Sequence, residues 1–367
     1  MAKSILILSN TIVGLHSFRR EVIKAIVDAG YKVIISVPDD DKKADYFRGI
    51  GCEIIQTVFN RRGVNPLADF KLMMTYRRLI KQLKPMAVLT YTIKPNVYGG
   101  LAARLCRVPQ LANVTGLGDA VENGGWLQKL TVGLYKLGVG KAQRVFFQNE
   151  GNRSFCIREG IADANSILLP GSGVNLEYHT YQEYPSDEGK IRFLFIGRLL
   201  KDKGTEELLA TAKVIKDKYP QTEFQVVGSV DGNYQTQLDE LVKTGVINFL
   251  GSQSDVRPFI GAVECTIMPS YHEGMSNVNL ESAANGRPVI TTNVPGCRET
   301  IDDMWTGYLV EARNTQSLIY AVERFIALPY SQKVMMGKNA REKVEKEFDR
   351  KKVVDAYLKE IEKIANV

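Results

Sequence analysis

The 367-residue sequence predicts an α/β chain of two doubly wound parallel-sheet domains in tandem. Three observations carry this prediction. Short apolar runs, the mark of strands buried on both faces, alternate with helical stretches along most of the chain. Such alternation builds parallel sheets covered by helices. It comes in two series, separated by a turn-rich and polar stretch near 170–190. The length itself favours two domains over one.

The first series opens with a strand at Ser4–Leu8. The loop Asn10-Thr11-Ile12-Val13-Gly14 leads to a helix from about Ser17 to Ala29, stopped by Gly30. Strands follow at Lys32–Val37, Glu53–Ile55, Ala87–Tyr91, Gln110–Val114 and Arg144–Gln148, with helices near 43–49, 66–82, 97–106 and 125–138. Pro170-Gly171-Ser172-Gly173 opens the connecting stretch. The second series has strands at Phe193–Ile196, Phe224–Val227, Ile247–Leu250 and Cys265–Pro269. Its helices run to about Lys216, over 234–243 and over 255–260. Ser270 to Thr292 then reads as loop, helix and strand, and about 332–366 as helical and highly charged. The predicted domains are 1–185 and 186–349.

Charge is uneven. Residues 1–186 hold 24 Lys+Arg against 15 Asp+Glu (+9), and the remainder 24 against 26 (−2), which sum to the net +7. A basic first half suits an anionic membrane surface or a phosphate-bearing acceptor; no nucleic-acid partner is predicted. The five Cys are scattered without a Cys-x-x-Cys pair, which fits a reducing compartment and excludes a disulfide framework or zinc site. Three widely spaced His and the lack of an Asp-x-Asp signature predict no metal site; Asp39-Asp40-Asp41 reads as a solvated loop. The N-terminal apolar run is too short for a signal peptide, and no stretch is long enough to span a bilayer.

Ligands of open α/β sheets bind beyond the carboxyl ends of the strands. There, Ser276 or Asn277 caps a helix whose N-terminus offers free N–H groups and partial positive charge, a seat for phosphate. Glu273 and Glu281, eight residues apart, both reach one cleft if the helix starts near Asn277, and carboxylates accept from sugar hydroxyls. Gly197-Arg198 follows one strand and Lys203 lies five residues on; a guanidinium fork and a mobile ammonium suit two phosphates. Gly228 permits close backbone approach, and Gly251 with Asp255-Val256 is placed to line a base pocket.

Gly197-Arg198…Lys203-Gly204, Phe249-Leu250-Gly251 and Pro269-Ser270-Tyr271-His272-Glu273-Gly274…Glu281, followed by Gly286-Arg287-Pro288-Val289, resemble the retaining GT-B glycosyltransferases of family 4 over essentially the whole chain. The resemblance implies two Rossmann-like domains facing a cleft. Residues 1–185 would bind the acceptor and 186–349 the nucleotide-sugar donor, with the last helix (about 350–367) packing back on the first domain. It implies Arg198 and Lys203 at the donor diphosphate, Glu281 on the ribose, and Glu273 by the transferred sugar. Backbone N–H groups around Ser276, Asn277, Val278 and Asn279 would contact sugar and distal phosphate. No metal or other cofactor is implied; the leaving phosphate accepts the acceptor proton in a front-face reaction.

Two departures stand out. The loop after the first strand has one glycine, Gly14, where the family often has two. Thr115, in Val114-Thr115-Gly116-Leu117-Gly118, stands where the family often has His. His16, Lys94, Asn113 and Thr115 are therefore candidates for acceptor contacts only. Tyr91-Thr92-Ile93-Lys94-Pro95-Asn96…Gly99-Gly100 resembles bacterial enzymes that extend lipid-diphosphate-linked sugars with UDP-hexoses or UDP-N-acetylhexosamines during capsule, O-antigen or N-glycan precursor assembly. That implies a cytoplasmic protein held peripherally at the inner membrane face, with Arg61-Arg62, the 71–84 helix or the 126–141 helix as contact. The alternatives are a UDP-sugar 2-epimerase of the same fold and a tandem-Rossmann NAD-dependent oxidoreductase. The second would need a Gly-x-Gly-x-x-Gly that the first loop lacks.

Overall fold

A computed structural model describes residues 3–39, 41–60, 65–116 and 125–366, the Leu127 side chain excepted. Asp40, Arg61-Arg62 and Leu117-Gly118 lie outside the described residues. The chain divides into two units, Met1–Ser172 with Arg350–Val367, and Gly173–Asp349.

The first unit holds seven described strands: β1 (Ser4–Leu8), β2 (Lys32–Val37), β3 (Glu53–Gln56), β4 (Ala87–Tyr91), β5 (Gln110–Val114), β6 (Arg144–Phe147) and β7 (Ile167–Leu168). Their spatial order is β3-β2-β1-β4-β5-β6-β7, and the pairings are parallel. The helices are α1 (Ile12–Asp28), α2 (Ala44–Gly49), α3 (Pro66–Leu83), α4 (Gly100–Leu105), α5 (Gly125–Val139) and α6 (Glu150–Arg158). Strand β1 shows why the apolar runs are continuous. Its side chains alternate between faces, Ile5 and Ile7 joining one core cluster and Leu6 and Leu8 the other. The first cluster contains the buried stripe of α1, the second that of α3.

Helix α1 begins at Ile12, five residues before the expected start. Ile12 is buried with Leu15, Val22, Ile23 and Ile26, so the apolar stripe extends one turn further back than the loop-like letters suggested. Gly14 thus lies in the first helical turn rather than in a loop. The expected 97–106 helix is a π-turn at Pro95–Gly99 running into α4.

The second unit contains β8 (Ile191–Ile196), β9 (Thr222–Val227), β10 (Ile247–Gly251), β11 (Cys265–Met268), β12 (Val289–Thr292) and β13 (Gly307–Val310), ordered β10-β9-β8-β11-β12-β13 and again parallel. Its helices are α7 (Thr205–Lys218), α8 (Gln235–Lys243), α9 (Arg257–Gly261), α10 (Asn277–Ala284), α11 (Thr315–Ala327) and α12 (Tyr330–Glu347). The division at 172/173 falls earlier than the expected boundary at 185. The intervening residues are bonded into the second unit: Val174 N donates to Phe348 O at 2.8 Å, and Tyr184 Oη to Glu264 O at 2.8 Å. Arg287, fully buried, reaches the carbonyls of Gln182 and Glu183.

The charged C-terminal stretch is two helices. After α12, α13 (Arg350–Ala365) belongs to the first unit. Val353, Tyr357 and Ile361, on one helical face, enter the cluster of Ile5, Leu15 and Tyr91. The Tyr357 ring stacks on Phe146 at 4.4 Å, and its hydroxyl accepts from Asn113 Nδ2 at 2.7 Å. Arg144 pairs with Glu360 at 2.9 Å and Arg350 with Glu21 at 2.8 Å. All five cysteines are free. No helix among the described residues is long and apolar enough to cross a membrane.

Candidate active site

In the second sheet the strand order reverses at β8, which lies between β9 and β11. Loops leaving adjacent strands on either side of such a point open a crevice. Gly197 and Arg198 leave β8, and Pro269-Ser270-Tyr271 leaves β11. The two loops are tied together: Tyr271 N donates to Asp202 O at 2.9 Å. Gly204 makes this approach possible. Its φ is +70°, and a Cβ there would stand 2.1 Å from Pro269 O. The tie brings Lys203 to Glu273: its ammonium forms an ion pair with Oε1, and Ser270 Oγ donates to the same oxygen at 3.0 Å. Below them Tyr271 Oη donates to both oxygens of buried Glu207 at 2.9 Å, and Arg313 lies 4.6 Å from the Tyr271 ring centre. Arg198 is exposed at the strand end, with no ion-pair partner among the described residues.

Gly197, Gly228 and Gly251 follow or end β8, β9 and β10 side by side. Gly197 N donates to Val227 O at 2.9 Å, and Gly228 N to Gly251 O at 2.8 Å. A Cβ on Gly228 would lie 1.8 Å from Gly197 O, so close backbone packing, rather than a ligand, already requires glycine there. Nothing lies within 4 Å of a Cβ built on Gly251. Val256 is half-buried and packs its side chain against the cluster of Leu194, Ile196 and Ile260. Beside it Asp255 and Arg257 pair at 2.6 Å, which holds the Asp255 carboxyl below its ordinary range. The Arg257 guanidinium sits 3.7 Å from the Tyr178 ring centre.

Ser276 is the N-cap of α10; its Oγ accepts from Asn279 N at 3.4 Å. The N–H groups of Asn277 and Val278 have no acceptor within the helix and point out of its positive end. Asn279 departs from expectation. It is buried, its Nδ2 donates to Thr291 Oγ1 (3.2 Å) and Thr300 Oγ1 (3.0 Å), and its N–H is spent on the cap. The Val278 side chain packs between two core clusters, leaving its N–H as its available group. Glu281 lies one turn on, its side chain 22% exposed and its Oε1 4.0 Å from His179 Nε2. His179 is buried, and its Nδ1 lies 3.2 Å from Asn285 Nδ2. Neither His179 nor Asn285 was singled out from the sequence; His179 is 102 residues from Glu281 (281 − 179), and no spacing signals such a contact.

The candidates in the first unit each have contacts of their own. The His16 ring meets Tyr46 (5.3 Å) and Phe47 (6.2 Å) of α2 edge-on. Burial, then Lys43 and Arg20, lowers its pKa. Lys94 pairs with Asp69 of α3 at 2.7 Å. Asn113, 1% exposed, is withdrawn as an acceptor contact: its amide bonds Tyr357 and Arg19, and its carbonyl accepts from Asn96 Nδ2 at 2.8 Å. Thr115 is half-buried just past β5.

Residues 4–149 match the family model "Glycosyl transferase 4-like", and residues 180–343 the model "Glycosyl transferases group 1". Over 96% of both chains the protein is 28% identical to an N,N'-diacetylbacillosaminyl-diphospho-undecaprenol alpha-1,3-N-acetylgalactosaminyltransferase of Campylobacter jejuni subsp. jejuni. It is 27% identical to the UDP-Gal:alpha-D-GlcNAc-diphosphoundecaprenol alpha-1,3-galactosyltransferase of Escherichia coli, over 80% of this chain and 79% of that one. Anabaena HepE, solved in complex with UDP, superposes with a TM-score of 0.79 at 16% identity, covering 100% of both chains, a likeness of fold. The epimerase and oxidoreductase alternatives find no support among these. With its two parallel sheets and the two adjoining family matches, the chain belongs to the group 1, family 4-like glycosyltransferases of GT-B fold.

Proposed function

We propose that this glycosyltransferase moves a hexose or N-acetylhexosamine from a UDP-sugar to a saccharide carried on a lipid diphosphate, with retention of anomeric configuration and no metal or other cofactor. The observation that carries the reading is the pairing of Lys203 with Glu273 at the switch point of the second sheet, between the end of β8 and the N-terminus of α10. As the bond from the sugar C1 to the diphosphate oxygen breaks, negative charge grows on the leaving phosphates. Arg198 offers a fork to those oxygens, Lys203 an ammonium, and Asn277 and Val278 their N–H groups, so cationic and dipolar donors meet the charge. An ammonium has three donors, so Lys203 serves phosphate and Glu273 together. Glu273 receives sugar hydroxyls and Glu281 those of the ribose. The acceptor hydroxyl attacks from the face the diphosphate leaves, giving its proton to a leaving oxygen.

UDP as donor nucleotide is supported by the printed donor of the Escherichia coli relative. The diphosphoundecaprenol in both relatives' names supports a lipid-linked acceptor and a place in bacterial surface polysaccharide or glycan assembly. A groove of about 640 Å³ between the β3 segment and α3 suits such an acceptor, since Lys71, Arg78 and Lys94 line it with Phe59 and Leu72. Leu67 (84% exposed), Phe70 (61%) and Met74 (36%) stand out on the same helix, interleaved with its basic residues. That pattern suits peripheral attachment to the inner face of the cytoplasmic membrane.

The test is calorimetry with UDP. Arg198→Ala and Glu281→Ala each remove a charge-assisted bond of about 1.5–3 kcal/mol, so affinity falls by roughly 10- to 150-fold. Unchanged affinity in both overturns the donor site. UDP release with a bacterial lipid extract, followed by NMR of the product anomer, tests acceptor class and retention.

A further inference from the structure

We propose that His179 is a positioning residue for the Glu281 carboxylate, and through it for the ribose hydroxyls of the donor; this rests on the ribose reading of Glu281. Asn285 fixes the imidazole. Its Oδ1 accepts from Gln182 Nε2 at 3.1 Å, so its Nδ2 is the donor group, bonded to Glu281 O at 2.7 Å and 3.2 Å from His179 Nδ1. Nδ1 is therefore the acceptor nitrogen, and the neutral ring carries its hydrogen on Nε2. Nε2 is the atom that faces Glu281 Oε1, at 4.0 Å. Glu281 and Asn285 are four apart along α10 and its C-cap, so they share a face and the ring spans one turn between them.

The histidine itself is anchored. His179 N donates to Asn175 O at 2.8 Å, and Arg341 Nη1 donates to His179 O at 2.9 Å. The Tyr178 ring packs edge-on at 5.1 Å, and the imidazole is buried. A small rotation of the Glu281 side chain brings Oε1 into bonding distance of Nε2–H. A carboxylate has about four acceptor sites, so one bond to Nε2–H leaves it the capacity to accept from a vicinal diol. Without that anchor a glutamate has three torsions to order each time the diol binds, and prior ordering is a direct gain in affinity.

The experiment compares the dissociation constants of UDP and 2′,3′-dideoxy-UDP by calorimetry. The unsubstituted protein prefers UDP, and Glu281→Ala removes the preference. His179→Phe, which keeps a ring in the site, weakens UDP about tenfold and leaves dideoxy-UDP unchanged. His179→Gln, with a side-chain N–H, recovers part of the loss. Equal weakening of both ligands in His179→Phe, or no change in either, overturns the positioning role while the Glu281 result stands. A preference that survives Glu281→Ala overturns the ribose reading itself, and the role of His179 with it.

Discussion

Arg287 is fully buried, yet among the described residues no carboxylate bonds its guanidinium. Nη1 donates to the carbonyls of Gln182, Asn285 and Gly286 at 3.0–3.2 Å, and Nη2 to those of Glu183 and Gly261 at 2.8 and 2.7 Å. Burial lowers its pKa, with the aromatic and acidic neighbours opposing. The cation thus serves as a staple of five carbonyl dipoles, fixing residues 182–183 to the end of α10 and to α9. Arg287→Met keeps most of the volume and removes the five hydrogen bonds. Each hydrogen bond to a charged group is worth about 1.5–3 kcal/mol, but the change also relieves several kcal/mol of guanidinium desolvation. The net expectation is a loss of about 3 kcal/mol from the second unit. For a unit of this size that lowers the melting midpoint by roughly 6–12 °C. Urea unfolding followed by circular dichroism reads the free energy, and calorimetric scanning the midpoint. A loss below about 1 kcal/mol would refute the idea that the staple, rather than apolar packing, holds this segment.

Two further predictions concern the first unit. Tyr357→Phe leaves Asn113 Nδ2 without its 2.7 Å acceptor and costs about 1–2 kcal/mol in chemical denaturation, with UDP affinity unchanged. His16 binds its proton less readily in the fold than when unfolded, because burial and then Lys43 depress its pKa below 6.5. Its contribution is therefore whole above about pH 6.5 and lost as pH falls toward the folded value. Melting midpoints between about pH 7.5 and 5 should fall more gently in His16→Phe than in the unsubstituted protein.

Most strands were legible because a strand buried on both faces carries a continuous apolar run, as residues 5–8 and 33–35 do. The Glu273, Arg198 and Lys203 segments were legible because their chemistry lies beside a strand end. What escaped depends on contacts distant in sequence. The Asn-Thr letters before Ile12 suggest a loop, but the core claims Ile12 for α1. Asn279 and Asn113 carry the same amide a ligand contact would use, and burial alone tells them apart. The letters of the 170–190 stretch mark it as a connection without saying which unit it joins; the Arg287 bonds decide that. Lys203 was read as a phosphate ligand from its charge, whereas its bond to Glu273 depends on Gly204 letting the β11 loop close in.

The return of α13 to the first unit has a consequence for biosynthesis. The second unit is an insertion of 177 residues (173 through 349) between the parts of the first. On a ribosome adding about 5–20 residues per second, roughly 9–35 s separate the last residue of β7's neighbourhood from the helix that completes its domain. During that interval Phe146 and Tyr91 lack the Tyr357 ring that stacks beside them. The inserted unit, contiguous in sequence, is free to finish first. Its predecessor waits with an apolar face uncovered, the state most in need of a chaperone.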